Sequence, residues 1–230
     1  IKVMADKSIK PQIIESEIDH ILKDLDLLIR IGTTPERLSI LGSAHKKIAM
    51  IYESFYQTPA KQKLIKNHLT QALKYYTQAC KAIDPKNLNE LNYPITNILT
   101  IHAIISKVKS IQLHEEKPKL IKNIFLEIKR DLMNSTEQNI DFWQDVNLVN
   151  ILQSELFYAS EKELDSIKSD IVRLYSHAWT LSGTYRQKQT KLEHLDFLQM
   201  GVRVIERPAK WKKQLKDVLE ALSAELRILK

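Results

Sequence analysis

The stretch from Ala72 to Asn87, ALKYYTQACKAIDPKN, restricts the fold more than any other part of this 230-residue chain. Ala72, Tyr76, Ala79 and Ile83 fall on one stripe of a helix, where the two alanines admit a paired helix at close range and the tyrosine ring fills the gap between them. Asp84-Pro85 then ends the helix. A single hairpin of this kind leaves its apolar face uncovered, so neighbouring hairpins must stack on it.

The spacing A-x3-[FY]-x2-A, closed by proline, is that of the second helix of a tetratricopeptide repeat, and it predicts an all-α, tetratricopeptide-like α-solenoid. Four glycines, seven prolines and 27% charged residues agree with long helices, short connections and almost no sheet. Residues 1–10 read as a lead-in and 11–230 as one helical domain. A first helix is expected near 11–31, from Ile14, Ile18, Leu22 and Leu25, with Gly32 as its stop. Thr34-Pro35-Glu36 restarts the chain as N-cap, first helical proline and first-turn acid, giving a second helix to about Gln57. Leu41-Gly42 stands where a repeat's first helix carries its Leu-Gly pair. The gap to Ala72 is about 30 residues where a standard repeat has about 12, so the first hairpin is lengthened, with a turn around Thr58-Pro59.

Further helices are expected from Asn92-Tyr93-Pro94 to about Gln112, from Lys117-Pro118 to about Met133, and near 139–159, 161–182, 185–206 and 208–229, about nine in all. The helix near 93–112 is apolar around most of its circumference and should be central. The last carries Trp211, Leu215, Val218, Leu222 and Leu226 on one stripe opposite a charged face, as a C-terminal capping helix does; pairing with a second copy is the other use of such a stripe.

Single Cys80 excludes a disulfide framework within the chain and a cysteine metal cluster, and points to a reducing, cytoplasmic setting. No run is long and apolar enough to span a membrane. The first residue is Ile1, which fits a piece of a longer polypeptide. The net charge of +7 favours anionic partners, and a solvated basic surface accounts for it equally well. Enzyme signatures are scarce: there is no glycine-rich phosphate loop, no G-x-S-x-G and no H-E-x-x-H. Glu17 and His20 make half of a di-iron motif with no second copy. Cys80, one turn from Tyr76, reads as core packing. The expectation is a chain with no catalytic residue, metal or cofactor.

Arg37 is the most conspicuous polar residue. A helical wheel places it between Leu41, Ala44 and Ile48, in the middle of an apolar face, where a guanidinium needs either a carboxylate from a neighbouring helix or an anion from outside. Lys47 lies at the edge of that arc with Ser43 one turn before it, whereas Lys46 points away; Arg37, Ser43 and Lys47 together would form an anion-binding corner. Tyr93, Asn97 and Thr100 share one stripe of the central helix, where the Asn97 amide requires a partner helix or a ligand's polar edge. Trp143 reads more readily as core than as a stacking platform for a base.

Several segments in order, TTPERLSILGSAHKK, ALKYYTQACKAIDPKN, NYPITNILT, DFWQDVNL and LEHLDFL, resemble the divergent tetratricopeptide-repeat sensor, also called the TRAF-binding domain, over about residues 33–200. That module lies beside the kinase in apoptosis signal-regulating kinases and occurs in bacterial conflict and defence proteins. The resemblance implies a non-catalytic sensor of a small nucleotide-like ligand, derived from NAD, that controls an attached effector domain or a partner protein. Its motif positions correspond to Arg37, Ser43, Lys46, Lys47, Tyr93, Asn97, Trp143 and Arg186. His45 stands where the family carries tyrosine, and Lys188 and Gln189 replace an acidic-aromatic pair. The alternative is a tetratricopeptide scaffold that binds a peptide or partner helix. Nucleic acid, suggested by the isoelectric point alone, is the least favoured partner, and no membrane association is expected.

Overall fold

A computed structural model of the chain describes residues 11–55, 60–105, 116–135 and 142–229. The lead-in 1–10, the turn at Thr58-Pro59, the end of the helix expected to reach Gln112, His114 and residues 139–141 lie outside them. Among the described residues there are nine helices and no strand: α1 Pro11–Ile31, α2 Pro35–Phe55, α3 Ala60–Ala82, α4 Leu88–Ile105, α5 Glu116–Ser135, α6 Phe142–Glu155, α7 Leu164–Leu181, α8 Tyr185–Val204 and α9 Ala209–Ile228. This is the all-α class expected of a tetratricopeptide-like chain. It divides into two compact units, Ile1–Asp84 and Pro85–Lys230.

In the first unit α2 and α3 form the principal pair. Lys61 Nζ reaches Glu53 O (2.8 Å), His45 meets His68 and Ser43 meets Tyr76. The partner numbers run in opposite directions, so the two helices are antiparallel. Ala72, Tyr76 and Ala79 are fully buried, as their spacing requires, and Ile65 and Leu69 extend the same buried stripe. Gly42 supplies the close approach: a Cβ there would lie 2.9 Å from three atoms of the Tyr76 ring. The expected start of α2 is also present, with Thr34 Oγ1 accepting from Arg37 N at 3.2 Å.

The second unit is built around α4, which packs against α5, α6 and α8. Its start corrects the expectation. The helix begins at Leu88, ahead of Asn92-Tyr93-Pro94, because Asn87 Oδ1 accepts from Glu90 N (3.3 Å) and caps it earlier. Pro94 then lies inside the helix, in its second turn, where it withholds only the donor that Glu90's carbonyl would receive. Leu91, Ile95, Ile98, Ile101 and Ile104 are buried, as a central helix requires. Gly201 of α8 admits this helix closely, since a Cβ there would meet Ile104 Cδ1 at 2.5 Å.

Helix α9 turns Trp211, Leu215, Val218, Leu222 and Leu226 into the unit, packing on α7 and α8, and Trp211 Nε1 donates to Ala159 O at 2.9 Å. At the other end of α8, Thr184 and Gln187 form a reciprocal capping box. Thr184→Ala is expected to remove about 1 kcal/mol of stability. Thermal melting followed by circular dichroism should then show the midpoint of the second unit falling by roughly 2–4 °C.

Candidate functional site

The first-unit corner differs in detail from the wheel. Arg37 is half-buried at the margin of the α2 interface, and its Nη1 donates to Gly32 O at 2.7 Å. No carboxylate pairs with it among the described residues. One of its five donors is therefore committed to the chain, and the guanidinium keeps its positive charge.

Lys46 and Lys47 exchange roles. Lys46 is buried, at 8% exposure, and Lys47 faces outward. Counting apolar side chains placed the centre of the face near Leu41, Ala44 and Ile48. The α3 contact places it near Gly42, His45 and Ala49, because the missing side chain at Gly42 is what Tyr76 packs into. That rotation carries Lys46 inward and Arg37 to the edge. Ser43 is engaged within the fold: its hydroxyl donates to Ser39 O (2.9 Å) and lies 3.0 Å from Tyr76 Oη.

Next to this corner, His45 Nδ1 and His68 Nδ1 stand 3.0 Å apart, with the Tyr75 ring stacked on His45 and the Tyr52 ring on His68. Two lone pairs cannot face each other at that distance, so one ring carries the proton and donates it to the other. Burial, together with neighbouring His68, lowers the His45 pKa to about 4, and burial lowers that of His68. Cys80 sits half-buried in the same unit, its thiol pushed up to about 12 by burial, which leaves it a packing group at neutral pH.

In the second unit, the polar stripes of α4 and α6 meet. Thr100 Oγ1 donates to Ser154 Oγ (3.0 Å), and Ser154 lies within hydrogen-bond reach of Thr96 O (3.2 Å) and Asn150 O (3.0 Å). Asn97 is buried, with its Nδ2 donating to Tyr93 O at 2.8 Å. Tyr93 itself is 46% exposed and Trp143 54% exposed, so the expectation of Trp143 as core is corrected. Phe142 fills the interior instead, meeting Trp143 edge-on at 5.2 Å and Trp179 at 5.3 Å.

The α8 side also departs from expectation. Arg186 lies exposed in the first turn of α8, and the cation that meets α6 is Lys191, whose Nζ donates to Asn150 Oδ1 at 3.0 Å. Sequence reasoning missed Lys191, Asn150 and Asn147 because none interrupts an apolar face; only the i, i+4, i+7, i+11 spacing of Trp143, Asn147, Asn150 and Ser154 hinted at one stripe. It also missed Asn92, buried with neither amide atom hydrogen-bonded among the described residues. Asp145 and His177 were missed as well: the carboxylate is buried, and Oδ2 lies 2.6 Å from His177 Nδ1.

A separate hollow of about 410 Å³ is lined by Lys129, Glu155, Tyr158 and Glu163, but its lysine is already held by Glu155 at 2.6 Å. Among the described residues no three His, Cys, Asp or Glu side chains are grouped to hold a metal ion, and no helix is long and apolar enough to cross a membrane.

Residues 6–102 match the family model described as Tetratricopeptide Repeats-Sensor. The match covers α1 to α3 and most of α4, and supports placing this part of the chain in a divergent tetratricopeptide-repeat sensor family. A regulatory helical module is the coarse function that follows. No curated protein and no solved structure matches the chain.

Proposed function

We propose that the chain is a regulatory sensor that binds a small anionic, nucleotide-like ligand, NAD-derived, and controls an attached effector domain or partner protein. The observation that carries this reading is Arg37, a half-buried guanidinium held by a backbone carbonyl and by no carboxylate among the described residues. A planar fork anchored at one nitrogen keeps its other donors for an oxyanion, and phosphate matches that geometry. The match of this unit to a sensor family supports the same conclusion.

A thermal-shift series with NAD, ADP-ribose and cyclic ADP-ribose tests it. A ligand at a hundredfold excess over its Kd adds about 2.7 kcal/mol, enough to raise the midpoint by several degrees. Arg37→Ala should abolish that rise while leaving the unliganded midpoint nearly unchanged. Absence of any shift with all three compounds at millimolar concentration would sink the proposal.

The exposed rings of Tyr93 and Trp143 favour a second reading, a scaffold for a peptide or partner helix. Partner capture that survives Arg37→Ala and fails in Trp143→Ala would select it.

A further inference from the structure

We infer that the hollow where α5, α6 and α7 meet in the second unit is a binding site for a small organic ammonium. It has a volume of about 410 Å³, lies wholly in that unit and is independent of the role given to Arg37. Helix α5 supplies Lys129, the end of α6 and the loop after it supply Glu155, Tyr158 and Ala159, and the start of α7 supplies Glu163 and Ile167.

The hydrogen bonds decide the charge of the ligand. Lys129 Nζ lies 2.6 and 2.7 Å from the two oxygens of Glu155, so this ammonium is neutralised and keeps at most one hydrogen to give. Glu163 turns Oε2 to Ser160, accepting from its hydroxyl and its amide at 2.7 Å each. Those two bonds hold the carboxyl below its usual range, so it is ionised at neutral pH. Its Oε1 has no partner among the described residues. Two carboxylates against one ammonium leave the hollow with a net negative charge and with more acceptors than donors. Cations near the start of α9 are committed elsewhere: Lys210 Nζ pairs with Glu161 Oε2 at 2.5 Å, and Arg207 lies over the Trp211 ring at 5.4 Å. The positive end of α7 is offset by Glu163 and by Asp165 in the first turn. The matching ligand is a cation that donates.

The rest of the lining defines what carries that cation. Tyr158 donates its hydroxyl to Leu99 O at 2.7 Å, which fixes its ring in the wall of the hollow, and Ala159 and Ile167 add apolar surface. An ammonium seated on Glu163 can lay a short carbon chain on that wall, beside the face of the ring. The ligand class is a primary amine on a short apolar chain.

Butylamine is the probe, titrated into the full chain at neutral pH while the Ile167 methyl and Tyr158 ring signals are followed by NMR. Both should move and saturate, whereas butanoate and butanol, with the same chain and no ammonium, should leave them in place. Glu163→Gln keeps an oxygen for Ser160 but discharges the hollow, and should weaken butylamine roughly threefold, the modest factor of a solvent-facing charge. Lys129→Met removes the internal ammonium that occupies Glu155, and should strengthen butylamine by a similar factor. Arg37→Ala should leave the response intact. Signals that stay still at tens of millimolar butylamine, butanoate that binds as well, or two folded variants that both bind like the parent would overturn the inference. A lysine-bearing tripeptide that binds more tightly than butylamine would overturn the assignment to a free amine.

Discussion

Gly42→Val is expected to destabilise the first unit by about 3 kcal/mol, near the upper end of the usual cost of overpacking a tight contact. Even the first added carbon would lie 2.9 Å from three atoms of the Tyr76 ring, and that ring is fully buried against α2. Alanine should cost less, because its gain of about 1 kcal/mol in helix propensity offsets part of the clash. Urea denaturation reports the difference, provided the signal is circular dichroism or tyrosine emission; Trp143, Trp179 and Trp211 all belong to the second unit. A double-mutant cycle with Tyr76→Leu identifies the cause. If the ring is what the valine meets, the two losses should fall short of additivity by more than about 0.5 kcal/mol. Strict additivity would refute the contact.

Acidification should weaken the same unit through His45 and His68. An unfolded histidine titrates near pH 6.5, whereas folded His45 stays neutral until about pH 4. Between those values the unfolded chain holds protons that the fold refuses, so stability falls as the pH drops from about 6.5 to about 4, with nothing further lost to His45 below that. His68, lowered in the same direction by burial, adds to the loss. The combined effect is about 1–2 kcal/mol after allowance for screening by water that reaches the pair. Carboxylates titrate nearby, so the comparison is with His45→Tyr, which removes one of the two groups. Its stability profile should be visibly flatter between pH 6.5 and 4. Superimposable profiles would show that the pair does not couple folding to protons.

The two helices that this pair joins show how far the sequence could be read. Two alanines at i and i+7 with an aromatic between them admit few interpretations, and Ala72, Tyr76 and Ala79 are buried as that spacing demands. Helix ends written by a proline were less legible. Pro94 looked like a start, and a side-chain cap at Asn87 about two turns earlier overrode it. The candidate site was legible where a charge fell beside an apolar arc, as with Arg37. It was misread where the arc's centre depended on a side chain that is missing, since a wheel gives glycine no weight and so put Lys46 outside and Lys47 at the edge. The α6 and α8 contacts were invisible for another reason. Asn150 and Lys191 are ordinary surface residues in their own helices, and only packing brings them together.

The bonds linking Thr96 and Thr100 to Ser154 bear on how a signal would travel through the second unit. Each is made between buried groups, so sliding α6 along α4 by a single residue would break them all at once with no water to replace them. The seam behaves as a ratchet tooth seated in its notch. Held together there, α4 and α6 form one rigid plate, and any give in this unit falls at the plate's other borders, against α5, α7 and α8.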